Sequence, residues 1–173
     1  MFLEQYKLDV NPFLTDAARP ILASHAVRCA SQKLEDLITQ QIYCLFLSGP
    51  AGSGKGTLTR QRFAELRNLT TSWIDPACET RDDLLQKLLA DIGPGHVEGG
   101  VQELRHILEV FLRHQAAHGR FPYIVLDGLE RFSVPVLMEI ESLAQLRLSN
   151  KPIVFLLGLT RNEQLVANLL PRF

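Results

Sequence analysis

The sequence predicts an α/β domain with a mainly parallel sheet sandwiched by helices, and three observations support this fold class. Short apolar runs, such as residues 43–48 and 123–126, have the composition of strands that are buried on both faces. Segments such as residues 101–118 carry apolar side chains at helical spacing. The two kinds of segment alternate along the chain, which is typical of parallel strands connected by helices.

The elements are predicted in order from these two patterns. Thr80, followed three residues later by Asp83, predicts the capped start of one helix. Trp73 is expected to fill the core between the sheet and the helices. The expected segments are helix 24–40, strand 43–48, helix 55–67, strand 70–74, helices 81–92 and 101–118, strand 123–126, helix 135–148, strand 153–157 and helix 162–170.

Length, charge and cysteine usage narrow the class of protein. The 173 residues, 46% of them hydrophobic, are enough for one ordinary domain. We divide them into a lead-in with a helix at 1–42 and a core at 43–173. The net charge of -1 gives no support to DNA binding. Three unpaired cysteines, the lack of a signal peptide and the lack of an apolar run of about 18 residues predict a cytoplasmic chain without membrane contact, although an anchor beyond residue 173 would change this localisation.

A glycine-rich segment joins the first predicted strand to the next helix. Its glycines allow backbone N–H groups to form an anion-binding concavity, and the helix adds the positive end of its dipole. Lys55 then supplies a charge for the terminal phosphates, in the strand–loop–helix context of a P-loop NTPase. A glycine-rich turn that binds nothing is the alternative. The residues expected to hold ATP or GTP are Gly49, Pro50, Ala51, Gly52, Ser53, Gly54, Lys55, Gly56, Thr57 and Leu58.

The position after Lys55 departs from the usual P-loop, in which a serine or threonine ligates Mg²⁺. Here Gly56 intervenes, and the hydroxyl belongs to Thr57. One residue turns about 100° around a helix of 3.6 residues per turn. We therefore expect Thr57 to contact phosphate, or to reach the metal through water.

The third predicted strand ends at Asp127, where open parallel sheets bind their ligands. An acid at this point can hold Mg²⁺ or its water shell, so Asp127 is the second expected metal residue. An aspartate that only caps the following turn is the alternative. Many ATPases have a glutamate directly after this acid, to position the attacking water. This chain has Gly128 there, and Glu130 is the candidate substitute.

With these elements in place, the chain resembles AAA+-type ATPases of the family that includes the type II secretion ATPase ExeA (general secretion protein A) and the transposition regulator TnsC. The likeness extends over nearly the whole chain, but only the P-loop is specific by itself. The other matching segments are Tyr6, Leu8 and Asn11-Pro12-Phe13, then Trp73-Ile74-Asp75-Pro76, residues 83–93, the strand before Asp127, and residues 146–158.

The resemblance implies a set of ligands and roles. Lys55 and Thr57 would bind phosphate and metal of MgATP, Asp127 would be the strand-end acid, and residues 11–13 would lie near the adenine. It also implies a protein partner and self-assembly into an oligomer. In an oligomer Arg161 or Arg172 would be a candidate arginine finger acting in trans, and an ordinary solvated arginine is the favoured alternative for both. DNA as a partner follows only from the transposition branch.

Three features depart from the family pattern. Family members usually have a glutamate where this chain has Gly128, and a polar sensor residue where it has Leu159, with Thr160 and Arg161 just beyond. The sequence ends at Phe173, before the fifth strand and the helical lid that the family would lead us to expect. The lid domain is therefore expected to be missing from this sequence, which is either a fragment of a longer protein or a reduced family member. These departures predict weak or partner-dependent hydrolysis rather than loss of binding.

Two other functions remain open from the sequence. Residues 54–57 and 126–128 resemble the corresponding segments of nucleoside monophosphate kinases. The candidate phosphate clamps of such a kinase are Arg120, Arg131, Arg161 and Arg172, and an ordinary surface charge is the more common role for each of them. Such kinases, however, normally begin almost at the P-loop. A non-hydrolysing switch that binds nucleotide to set its shape is the other possibility, and Gly128 and Leu159 favour it.

Overall fold

A computed structural model describes residues 24–40, 42–65, 69–169 and 171. Its main elements alternate as the sequence predicts. They are helix α1 (His25–Thr39), β1 (Cys44–Ser48), α2 (Lys55–Glu65), β2 (Thr70–Ile74), α3 (Arg81–Ile92), α4 (Val101–Ala117), β3 (Pro122–Asp127), a 3-10 turn (Leu129–Arg131), α5 (Val134–Ala144), β4 (Arg147–Leu148), β5 (Lys151–Pro152), β6 (Phe155–Thr160) and α6 (Glu163–Leu169). No helix among these residues is long and apolar enough to cross a membrane.

Four strands form one parallel sheet in the order β1-β6-β3-β2. In the pairing of β1 with β6, Ser48 lies opposite Thr160. In the pairing of β3 with β6, Asp127 lies opposite Leu159. The carboxyl ends of β1, β6 and β3 are therefore level at one edge of the sheet, which confirms the predicted mainly parallel architecture.

Each face of the sheet is covered by its own core. Alternate residues of a strand point to opposite faces, so Leu156 of β6 packs with α3, α4 and α5, whereas Leu157 packs with α1 and α2. Within α3, the predicted capping box is present, because the Thr80 hydroxyl accepts from the Asp83 N–H and the Asp83 carboxylate accepts from the Thr80 N–H. The sheet is thus sandwiched by helices, as predicted.

Several boundaries differ from the prediction. The helix predicted at 135–148 ends at Ala144, because Arg147–Leu148 pairs antiparallel with Lys151–Pro152. The strand predicted to stop before Gly158 continues to Thr160. In the described part of the chain β1 pairs only with β6, so it is half-buried rather than buried on both faces. Trp73 is likewise only half-buried. The predicted roles of residues 11–13 and Arg172 fall outside the described residues.

Gly158 allows the sheet to pack closely at its centre. A Cβ atom at this position would lie 2.5 Å from Phe46 Cδ1 and 3.2 Å from Leu129 Cδ1. Leu129 belongs to the turn that directly follows Asp127, so this contact helps to fix the turn against the sheet. Gly158 therefore links core packing to the position of the turn.

We expect the substitution Gly158→Ala to lower the free energy of unfolding by about 1–3 kcal/mol, because the added methyl group overpacks this contact. Urea denaturation measures the change. The double variant Phe46→Val/Gly158→Ala should recover part of the loss, since valine lacks the ring atoms that clash. A Gly158→Ala protein as stable as the parent would contradict the close packing.

Candidate functional site

The loop between β1 and α2 has the backbone conformation of a phosphate cradle. Gly52 and Gly54 have φ angles of 73° and 84°, in the left-handed region that favours glycine. The Gly49 N–H donates to the Thr160 carbonyl at 3.2 Å, which ties the start of the loop to the end of β6. Because α2 begins at Lys55, the loop leads into a helix N-terminus that favours anions.

The Lys55 ammonium group is folded back over this loop. Its Nζ donates to the Gly49 carbonyl at 2.7 Å, to the Pro50 carbonyl at 2.9 Å and to Ser53 Oγ at 3.1 Å. These contacts hold the positive charge at the mouth of the cradle. Neutral carbonyl oxygens are weaker partners for an ammonium group than a phosphate oxygen, so a bound phosphate would compete well for Lys55.

A cavity of about 500 Å³ lies between the loop and the ends of β3 and β6. This volume is within the usual range of about 300–1,000 Å³ for small-molecule sites. Its lining includes residues from the loop, from the start of α2, and from the segments after β3 and β6. They are Ala51, Gly52, Ser53, Gly54, Lys55, Gly56, Thr57, Arg60, Asp127, Gly128, Glu130, Arg131, Leu159, Thr160 and Arg161.

Three of the predicted binding residues lie outside this lining. Gly49 and Pro50 offer their carbonyls to Lys55 instead. Leu58 has only 5% of its surface exposed, and its N–H donates to the Gly54 carbonyl at 2.8 Å. Its side chain belongs to the core between α2 and the sheet. The structure therefore gives Leu58 a packing role, whereas the sequence predicted a contact with nucleotide.

Asp127 faces the start of α2. A Cβ atom built on Gly56 would lie 3.7 Å from Asp127 Oδ2, which is ordinary contact. A serine hydroxyl at position 56 would therefore meet the aspartate, so Gly56 is the residue in the place where P-loops usually carry their metal-binding hydroxyl. Thr57 lines the same cavity and is exposed. Its predicted share in a metal site with Asp127 stays a prediction.

Glu130 lies in the 3-10 turn after Asp127 and contacts the end of β6. Its Oε2 accepts from Thr160 Oγ1 at 2.7 Å and from the Arg161 N–H at 3.3 Å, and its Oε1 lies 3.5 Å from Arg161 Nε. Burial by itself raises the pKa of Glu130. The hydrogen bonds from Thr160 and from backbone N–H groups, with the Arg161 charge, outweigh burial and hold that pKa below its usual range. Glu130 is therefore a carboxylate at neutral pH.

The sequence analysis did not predict the contacts of two residues in the lining, Arg60 and Thr160. Arg60 was not considered, although it follows Lys55 closely in α2. Its guanidinium carbon lies 4.3 Å from the Trp73 ring centroid, a cation–π contact. Thr160 was noted only as a neighbour of Leu159. Leu159 is 1% exposed and lies in the core, so Thr160, the last residue of β6, supplies the hydroxyl that reaches Glu130.

A parallel sheet with a glycine-rich phosphate cradle, a lysine and a strand-end acid defines an α/β domain of the P-loop nucleotide-binding class. The chain belongs to the AAA domain family, whose model matches residues 38–165. No curated protein matches the chain.

Solved structures with little sequence identity share this fold. Cdc6p from Pyrobaculum aerophilum is 14% identical with a TM-score of 0.67, and the match covers 89% of this chain and 43% of that one. The Aeropyrum pernix ORC2 protein in ADPNP–ADP complexes is 12% identical with a TM-score of 0.59, and the match covers 92% of this chain and 46% of that one. A chain of Drosophila ORC bound to GC-rich DNA and Cdc6 is 14% identical with a TM-score of 0.52, and the match covers 80% of this chain and 50% of that one. The chain spans half or less of the length of these relatives.

Replacing Lys55 with alanine should weaken ATP binding about 100-fold, because charge-assisted hydrogen bonds to phosphate are lost. Isothermal titration calorimetry of the parent and the variant measures the difference. Lys151→Ala, which removes an exposed lysine of the β4–β5 pair, is the matched control and should bind as the parent does. Equal affinity of the Lys55→Ala variant and the parent would overturn the cradle assignment.

Restoring a hydroxyl beside Asp127 tests the metal position separately. We expect Gly56→Ser to lower the Mg²⁺ concentration at which ATP binding is half-maximal, because the new hydroxyl adds a hard oxygen ligand. Gly56→Ala adds the same Cβ atom without the oxygen and is the control. If serine and alanine at position 56 have the same effect in a Mg²⁺ titration, the metal does not lie between Gly56 and Asp127.

Proposed function

We propose that this domain binds MgATP and is a weak or partner-dependent ATPase that drives or switches a larger assembly. The observation that carries the proposal is the approach of Gly56, next to Lys55, to Asp127 across the cavity. This approach brings the glycine-rich loop and the strand-end acid to the same side of the cavity. The ADPNP and ADP in the Aeropyrum pernix ORC2 structure support a nucleoside triphosphate as the ligand.

In the proposed reaction the chain's residues mainly position the phosphates and offset their charge, which is the main requirement of phosphoryl transfer. The backbone at Gly52–Lys55 binds the phosphates, and Lys55 neutralises part of their charge. With Mg²⁺ bound, Asp127 would hold the metal's water shell. Glu130, ionised at neutral pH, orients the attacking water and accepts its proton, once its hydrogen bond from Thr160 is rearranged.

Mg²⁺ fits the donors that line this cavity. The described residues contain no cluster of three or more His, Cys, Asp or Glu side chains that would form an all-protein metal site. Mg²⁺ is usually held by one or two carboxylates together with phosphate oxygens. Asp127 supplies that carboxylate, and Thr57 is the proposed hydroxyl. When bound, the metal would offset charge on the transferring phosphate.

A non-hydrolysing switch is the second candidate function, and the environment of Glu130 favours it. In the structure this carboxylate binds Thr160 and Arg161 instead of facing the cavity freely. If these contacts persist with ATP bound, the water lacks a base. The nucleotide would then set the position of the turn after β3, and a partner would sense it.

The proposal extends to the partners of the domain. The resemblance to ExeA and TnsC supports a role in secretion or transposition machinery, with self-assembly and a protein partner. The Drosophila ORC neighbour is bound to DNA and Cdc6, but the net charge of -1 does not support DNA binding by this chain alone. Cytoplasmic localisation is part of the same proposal.

The primary experiment incubates the purified chain with MgATP, with and without AMP, and quantifies ADP and free phosphate. Phosphate release that is independent of AMP supports an ATPase. ADP formation that requires AMP, without phosphate release, would instead make the chain a kinase. ATP binding without turnover supports the switch. Failure to bind ATP at all would overturn the proposal.

Substitutions of the two acids separate binding from turnover. Asp127→Asn should keep much of the ATP affinity but impair Mg²⁺-dependent phosphate release. Glu130→Gln should reduce phosphate release about 100-fold or more, in the range for removing a general base, with ATP affinity unchanged. The assay compares both with the exposed control Glu98→Gln. Undiminished release from Glu130→Gln would remove Glu130 from the mechanism.

The lowered pKa of Glu130 also predicts a pH effect on stability. A carboxyl whose pKa is lower in the folded than in the unfolded state stabilises the fold above its ordinary pKa of 4.5, and this contribution is lost as the pH falls through the folded value. The stability difference between the parent and Glu130→Gln should therefore shrink as the pH falls through and below the ordinary pKa of 4.5. Urea denaturation across this range measures it. A difference independent of pH would contradict the assignment.

A further inference from the structure

The turn after Asp127 places an arginine where other ATPases carry an acid. Gly128 has φ 79° and ψ 52°, in the left-handed region. A Cβ atom at this position would lie 2.7 Å from one terminal guanidinium nitrogen of Arg131 and 2.9 Å from Arg131 Nε. The guanidinium group therefore lies against the Cα atom of Gly128, in the space that a side chain at position 128 would occupy.

The backbone of this turn is firmly held, so the fold fixes the point at which the Arg131 side chain starts. The Gly128 N–H donates to the Leu159 carbonyl at 3.0 Å, and the Arg131 N–H donates to the Gly128 carbonyl at 2.9 Å. Leu129 and Phe132, on either side of the charged residues, are 1% and 8% exposed. The turn is thus anchored in the core, while the exposed Arg131 side chain lines the cavity.

Arg131 differs from the other cations of the cavity because it has no partner among the residues that the structure describes. Lys55 donates to loop carbonyls, Arg161 pairs with Glu130, and Arg60 stacks on Trp73. Within the described part of the chain, the Arg131 guanidinium has no carboxylate or hydrogen-bond acceptor. Four cationic and two anionic residues line the cavity. An uncompensated guanidinium in such a cavity is suited to bind an anion.

The position of Arg131 indicates which phosphate it would meet. The cradle follows β1, and β6 lies between β1 and β3 in the sheet. With strands about 4.8 Å apart, Gly128 lies roughly 10 Å from the end of β1. In the proposed site Asp127 lies toward the terminal phosphates of the ligand. Arg131 belongs to the turn that follows Asp127 and lines the same cavity, so a ligand that lies on the loop and extends toward β3 would meet Arg131 with its terminal phosphate.

We propose that Arg131 is a phosphate-binding residue supplied by the same chain, that Gly128 makes room for it, and that it selects nucleoside triphosphate over diphosphate. The inference rests on the proposed nucleotide site and adds its specificity. Gly128 then has a positive role, because a larger residue there would displace the guanidinium group.

Calorimetric titration with Mg²⁺-ADP and with the non-hydrolysable β,γ-imido analogue of ATP tests the proposal through binding alone. Arg131→Ala should weaken binding of the analogue about 10- to 100-fold, the range for a hydrogen bond between charged groups, while ADP affinity changes less than about threefold. Arg131→Lys keeps the charge but not the paired donors of the planar guanidinium group, so its affinity for the analogue should lie between those of the parent and Arg131→Ala. Arg120→Ala is the control, because Arg120 precedes β3 and lies at the opposite end of the strand.

The outcomes separate this inference from the proposed function. If Arg131→Ala weakens both nucleotides equally, or neither, the selectivity of Arg131 is refuted while the nucleotide site stands. If the parent binds neither nucleotide, the proposed function fails first. Gly128→Asn is a second route, since asparagine tolerates positive φ. The folded variant should lose selectivity as Arg131→Ala does, and unchanged selectivity would contradict the role given to Gly128.

Discussion

The candidate site depends on the parallel pairing of β6 with both β1 and β3. Parallel strands all end at one edge of a sheet, so this pairing brings Ser48, Thr160 and Asp127 to the same level. The loop after β1 is then tied to β6 through Gly49 and the Thr160 carbonyl, and the turn after β3 is tied to β6 through Gly128 and the Leu159 carbonyl. β6 thus holds the phosphate cradle on one side and the acidic turn on the other. The tight contact of Gly158 with Phe46 and Leu129 lets these layers approach each other.

Electrostatics explains why nucleotide binding and the proposed hydrolysis would be separable in this domain. The cavity has more cationic than anionic side chains, which favours a polyphosphate. Glu130, the acid that would act on water, is held in place by its neighbours. Hydrogen bonds from Thr160 and Arg161 stabilise the Glu130 carboxylate, and the same contacts restrain it. A partner or neighbouring subunit that rearranged the end of β6 would release Glu130 and change the rate without changing the cradle. This arrangement fits either a regulated ATPase or a switch.

The sequence predicted the sheet and the place of the glycine-rich loop between β1 and α2 well, because both depend on local patterns. The runs before Gly49 and Asp127 are apolar, and a glycine-rich loop before a lysine has a specific chemical use. Long-range contacts were not predictable. Nothing local showed that Leu58 would turn into the core, that Thr160 would reach Glu130, or that Arg60 would stack on Trp73. From the sequence, Gly128 was interpreted only as the loss of an acid. Its contact with Arg131 depends on the shape of the turn, which the sequence does not show. The helix predicted through Leu148 was wrong after Ala144, because pairing with Lys151–Pro152 outweighed the local helical pattern.

Amide hydrogen exchange with and without MgATP tests the central claim most directly, because it locates the ligand on the chain. The account predicts slower exchange in the loop before Lys55 and in the turn after Asp127, at ATP concentrations that saturate binding. Exchange at the β4–β5 pair, which lies outside the cavity lining, should stay unchanged. Protection confined to other segments, or no protection despite measured binding, would contradict the assignment of this cavity as the nucleotide site.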